Sequence, residues 1–262
     1  MRTRIRELGL AAHIYQPDRQ IAVDAPLAVF APGLPFEARE ESMSSYLVEH
    51  GWQVLQVQYP GTYDSDGDFT PDSAIESMGI ANAIIENGEV WDHKSNRFVR
   101  ISTASPVLIG HSFGAWVALR STEFFSCFES CLAIAPYYAF GKDKERNGIH
   151  STLEWHVPYI HATMPHTIRL SDVEKWNEFF TFSSGTEWDP KKCNTDLKVR
   201  TVVGTEDESF DVEKLASRTS EFKALDGIDL ELIIIDGAGH APEEMFGGDR
   251  WSEVDQFLGI KN

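Results

Sequence analysis

Six short apolar runs limit what this chain can become. They are LAVFA (27–31), VLQVQY (54–59), VLIG (107–110), CLAIA (131–135), VRTVV (199–203) and LELIII (230–235), and proline, glycine or Asp-Gly bounds them. Each has strand length. Several are apolar on both faces, which is the pattern of strands in a parallel sheet covered from both sides. Segments with helical character alternate with them, over residues 38–50, 71–87, 113–125, 211–225 and 249–259. Pro71 suits a first helical turn and Asp211 an N-cap. Strand–helix alternation with right-handed crossovers predicts an α/β fold, a doubly wound and mostly parallel sheet. The first 16 residues, around Gly9, read as an N-terminal hairpin. Residues 91–105 are polar and read as an extended loop.

The rhythm fails between Pro136 and Pro190. No strand is visible there, but aromatic residues crowd the stretch: Tyr137, Tyr138, Phe140, Trp155, Tyr159, Trp176, Phe179, Phe180, Phe182 and Trp188. The expected organisation is a core of residues 1–135 and 191–262, interrupted by an insertion of 136–190. The aromatic residues are expected to form the insertion's own core, with some left to line an apolar pocket. Its histidines, His150, His156, His161 and His166, follow no HxxxH or HExxH pattern, so no metal site is expected.

Charge excludes some partners. The 262 residues carry 23 basic against 41 acidic side chains, a formal net of -18. That field repels nucleic-acid backbones and anionic membrane surfaces, so neither is an expected partner. The cysteines Cys127, Cys131 and Cys193 are odd in number and form no CxxC, which fits free thiols in a reducing compartment. The N-terminal residues lack a continuous apolar stretch of the signal-peptide kind, so a cytoplasmic location is expected. No apolar run approaches the roughly 20 residues of a membrane span.

The chemistry centres on Gly110-His111-Ser112-Phe113-Gly114, which fits G-x-S-x-G with a strand before it and a helix after it. In such a turn the serine is held in a strained backbone conformation, and glycines two places to either side let neighbouring chain pass close. The helix N-terminus beside the serine favours developing negative charge. Downstream, Asp236-Gly-Ala-Gly-His240 follows LELIII, and Gly204-Thr-Glu-Asp207 follows VRTVV. A histidine in the later loop can reach the serine. An acid in the earlier loop, with Glu206 and Glu208 as alternatives to Asp207, can fix that histidine's tautomer. His111 is read as packing under the turn.

With these motifs in order Ser112, Asp207, His240, the chain resembles the α/β-hydrolase superfamily over nearly its whole length. The resemblance places the acid three residues after the glycine, at Asp207, and makes the insertion of 136–190 a cap. It implies an oxyanion loop at Ala31-Pro-Gly-Leu-Pro-Phe36. There Pro32 stands where relatives often carry histidine, Gly33 is kept, and Leu34 N–H pairs with Phe113 N–H as the donors. It also marks Tyr59-Pro-Gly-Thr-Tyr-Asp-Ser-Asp-Gly-Asp68 as a turn near the site, without the arginine that often follows there. The implied activity is a serine hydrolase acting on an ester, thioester or related acyl bond of a small, partly apolar substrate, with no cofactor and no metal. Cleavage of an amide or a carbon–carbon bond by the same triad is the first alternative. A ligand-binding protein with idle chemistry on the same fold is the second.

Overall fold

A computed structural model describes residues 2–17, 24–34, 42–136, 156–180, 187–209, 211–224 and 228–261. Its frame is one eight-stranded sheet. The strands are β1 (Arg2–Glu7), β2 (Leu10–Tyr15), β3 (Leu27–Ala31), β4 (Gln53–Val57), β7 (Val107–His111), β8 (Ser130–Ile134), β9 (Lys198–Gly204) and β10 (Asp229–Ile235). They lie in the order β1-β2-β4-β3-β7-β8-β9-β10. The six strands β4 to β10 of that order run parallel, and the N-terminal hairpin joins antiparallel through β2 and β4. Each of the six apolar runs supplies a strand, with Gln58, Tyr59 and Ala135 falling just beyond the strand ends.

Side chains on successive residues of a strand leave opposite faces, so a strand apolar throughout supplies two cores. In β3, Leu27, Val29 and Ala31 enter one core while Ala28 and Phe30 enter the other. In β8, Cys131 and Ala133 divide from Leu132 and Ile134 in the same way. The first core is closed by α2 (Pro71–Glu86), α3 (Phe113–Ser121) and α6 (Val212–Lys223). The second is closed by α1 (Ser42–Glu49), the short α7 (Pro242–Met245) and α8 (Trp251–Leu258). Of the segment expected as a helix over 38–50, residues 38–41 lie outside the described residues. The helix expected from residue 249 begins at Trp251, and the one expected to reach residue 125 ends at Ser121.

Helix ends follow the local chemistry. Thr70 caps α2 by accepting from Ser73 N–H at 3.0 Å, Ser73 Oγ accepts from Thr70 N–H at 2.9 Å, and Pro71 occupies the first turn. Asp211 caps α6 through Lys214 N–H at 3.2 Å.

The loop expected over 91–105 is a correction. Residues Glu89–Asp92 (β5) and Arg97–Arg100 (β6) pair as a separate antiparallel hairpin. Val90 and Val99 face each other across it and are buried, while the turn between is charged and exposed. Trp91 N–H donates to Glu7, which ties the hairpin to β1.

Between β8 and β9 the described chain forms α4 (His156–Thr163) and α5 (Val173–Phe180). The expectations placed on Tyr137, Tyr138, Phe140, His150, Trp155 and Phe182 lie outside the described residues. Where the stretch is described, it is laced to the loop after β4. Backbone bridges join Thr62 to Ile168 and Phe69 to Leu170. The Arg169 guanidinium donates to the carbonyls of Tyr63, Ser65 and Gly67. Trp176 and Phe179 pack on Phe113 and Trp116 of α3, so these aromatic residues extend the main core instead of forming a core of their own.

Thr70→Ala removes the α2 cap without touching the sheet. Its urea midpoint should fall by the equivalent of about 1 kcal/mol with an unchanged denaturant slope.

Candidate active site

The carboxyl ends of β3, β7, β9 and β10 converge, and the residues singled out from sequence follow those ends. Ser112 stands between β7 and α3 with φ 54 and ψ −118. A non-glycine residue held there costs about 1–3 kcal/mol, and the surroundings must over-determine it. They do so by backbone contact. A Cβ on Gly110 would lie 2.1 Å from the Gly114 carbonyl oxygen, and one on Gly114 would lie 2.0 Å from that of Ala31. Ser112 N–H donates to the Ile134 carbonyl at 2.8 Å, which pins the turn to the end of β8.

The loop after β3, expected to carry an oxyanion donor, runs beside this turn. A Cβ on Gly33 would sit 3.3 Å from Ser112 Cβ, so the chain entering Leu34 passes against the serine. Phe113, the other expected donor, opens α3. Its buried ring lies among Tyr59, Phe69, Trp116, Trp176 and Phe179. Pro35 and Phe36 lie outside the described residues.

Asp207 and His240 meet. His240 Nδ1 and Asp207 Oδ2 are 2.6 Å apart, and the carboxylate is buried while the imidazole is partly open. The carboxylate oxygen can only accept, so Nδ1–H donates to it, which leaves Nε2 as the ring nitrogen facing away from Asp207. Ser209 N–H donates to the other carboxylate oxygen at 2.9 Å. Burial alone would push the Asp207 carboxyl up. The His240 hydrogen bond and charge, with the Ser209 contacts, outweigh it and hold the group below the usual carboxylate range. The two loops touch through backbone: a Cβ on Gly204 would fall 2.0 Å from the Ala238 carbonyl oxygen. Glu206 N–H donates to that same carbonyl at 2.8 Å. Among the described residues, no hydrogen bond joins Ser112 Oγ to His240; such bonds commonly tighten only when substrate is present.

Two residues act here that the sequence reading did not place. His111, read as packing, brings its Nε2 within 3.0 Å of the His240 carbonyl. A carbonyl only accepts, so His111 donates, and this bond fastens the histidine loop to the residue before the serine. Burial, reinforced by the neighbouring His240, depresses His111 to about 4. Glu244 accepts from Gly239 N–H at 3.0 Å and braces the histidine loop from the other side. Neither contact has a local sequence signature.

The acidic turn after β4 makes ion pairs with β1: Arg4 with Asp64 and Arg6 with Asp66. Arg169, from the stretch before β9, fills the inside of that turn. Among the described residues no group of three or more His, Cys, Asp or Glu side chains comes together to hold a metal, and no helix is long and apolar enough to cross a membrane. A cavity of about 470 Å³ opens at the far end of α3, between Arg120, Trp188 and Phe222. Its lining holds no serine, cysteine or histidine, so neither Ser112 nor His240 borders it.

This chain belongs to the alpha/beta hydrolase family, whose model matches residues 28–247. No curated protein sequence matches it significantly. Solved structures resemble it from end to end. DcsB, in complex with its substrate analogue, aligns with a TM-score of 0.64 at 13% identity, covering 99% of this chain and 98% of that one. The Pyrococcus furiosus esterase Pf2001 gives 0.61 at 16%, covering 99% and 89%. Est1E from Butyrivibrio proteoclasticus, with ferulic acid bound, gives 0.59 at 16%, covering 97% and 95%. At these identities the likeness is one of fold.

His111 and Asp207 both set the acid limit of stability. Each has a folded pKa below its unfolded one, so the unfolded chain takes up protons first as pH falls. The His111 contribution is whole above about 6.5, its ordinary value, and is lost as pH falls through about 4. The Asp207 contribution is lost below the usual carboxylate range. His111→Gln keeps a donor for the His240 carbonyl but cannot titrate. Its stability, read by chemical denaturation, should vary less between pH 6.5 and 4 than that of the wild type.

Proposed function

We propose that this protein is a serine hydrolase that cleaves an ester, thioester or related acyl bond of a small, partly apolar substrate. The observation that carries the reading is the 2.6 Å bond from His240 Nδ1 to buried Asp207, in two loops that close beside the strained Ser112 turn. In this reading His240 Nε2 takes the Ser112 Oγ proton as the oxygen attacks the carbonyl. Leu34 and Phe113 N–H groups hold the oxyanion. His240 then protonates the leaving group, and water activated by the same ring releases the acid. Residues 1–135 and 191–262 form the catalytic core, and 136–190 form a cap over it. The reading is supported by the family membership and by fold neighbours that are esterases, one of them holding ferulic acid. An aromatic acyl group is therefore included among the substrates to test.

Fluorophosphonate treatment followed by intact mass is the direct test. One adduct on the wild type and none on Ser112→Ala is the expected result. A folded wild type that takes no adduct and hydrolyses no member of an acyl-ester panel would overturn the reading in favour of a ligand-binding role. Asp207→Asn should lower kcat by about 10⁴-fold while remaining folded, because an amide no longer fixes the imidazole tautomer. Wild-type turnover in that variant would move the acid role to another carboxylate.

A further inference from the structure

We propose that Tyr59 is a positioning residue that holds both halves of the oxyanion hole in register, an inference that rests on the serine-hydrolase reading above. Tyr59 lies two residues beyond β4 and is fully buried. Its hydroxyl donates to the Pro32 carbonyl at 2.8 Å. That carbonyl belongs to the planar peptide leading into Gly33, so holding its oxygen fixes the plane from which the chain continues to Leu34. Gly33 is the freest joint in the loop. The Tyr59 bond anchors the peptide before that joint and so narrows the directions open to Leu34 N–H.

The same ring reaches the second donor. Tyr59 meets the Phe113 ring edge-on, with centroids 5.7 Å apart and planes at 89°. It also stacks on Phe69, at 5.6 Å and 9°. Phe69 is held in turn by Trp176, whose Nε1–H donates to the Phe69 carbonyl at 3.0 Å. The Tyr59 backbone is fixed as well, since its carbonyl accepts from Thr62 N–H at 3.0 Å and from Thr62 Oγ1 at 2.7 Å. One rigid side chain thus joins the loop of Leu34 to the residue after the nucleophile. Donors aimed at a developing oxyanion act through their geometry, and a displacement near 1 Å costs on the order of 100-fold in rate.

Tyr59→Phe keeps the ring and its packing and removes the hydroxyl that bonds Pro32. Turnover of a p-nitrophenyl ester should show kcat lower by about 10- to 100-fold with KM unchanged, because the hole acts on the transition state and not on substrate binding. Fluorophosphonate labelling of Ser112 should slow in parallel, and amide hydrogen exchange at Gly33 and Leu34 should speed up. Thr122→Val is the control. It breaks a buried hydrogen bond to Trp188 Nε1 at the far end of α3 and should lower stability without changing kcat. A folded Tyr59→Phe with wild-type kcat, or a kcat loss matched by Thr122→Val, would overturn the proposal. If the wild type itself neither turns over nor labels, the serine-hydrolase reading fails. The exchange experiment still decides the role of Tyr59: faster exchange at Leu34 upholds the restraint, and unchanged exchange removes it.

Discussion

The end of the sheet that carries Ser112, Asp207 and His240 depends on backbone packed directly against backbone. At Gly110, Gly114 and Gly204 a single added carbon would meet a carbonyl oxygen at about 2 Å. The first two hold the serine turn together and seat it on β3, and the third seats the acid loop on the histidine loop. A Cβ at any of them would separate elements whose alignment must hold to a fraction of an ångström. The strain at Ser112 follows from the same closeness. The turn has no room to relax while Gly114 lies against Ala31 and Ser112 N–H is bonded to Ile134.

Around that contact the site is braced by polar groups drawn from distant parts of the chain. His111 reaches the carbonyl of His240 across 129 residues of sequence, and Glu244 holds Gly239 from the other side. Asp207 is buried, and its charge is matched by the His240 and Ser209 donors. A buried carboxylate stays ionised only where donors replace its lost water, and His240 and Ser209 supply those donors to Asp207. The neutral His111 adds a fixed dipole without adding a competing charge.

Much of this was legible in the residues. The sheet could be read because its strands feed two cores and are apolar on both faces, a signal that needs no partner to be seen. The serine turn and the acid and histidine loops could be read because each follows such a strand directly. The β5–β6 hairpin could not. Its charged, exposed turn and the exposed Phe98 obscure the alternation, and the pairing of Glu89–Asp92 with Arg97–Arg100 and the tie to Glu7 are seen only in the folded chain. The roles of His111, Glu244 and Tyr59 were hidden for a different reason. Each depends on one hydrogen bond to a backbone atom of another segment, and such a bond imposes no periodicity on the sequence.

The stretch between β8 and β9 is stitched to the turn after β4 by two backbone bridges and by Arg169, which occupies the turn's carbonyls. That makes the two segments a single structural unit. Transplanted alone onto another scaffold of this fold, the insertion would arrive without the surface that seats it, and Arg169 would lose its acceptors. A chimera would have to carry residues 59–70 along with it. The acidic character of that turn, matched by the arginines of β1, would pull the N-terminal hairpin into the same graft.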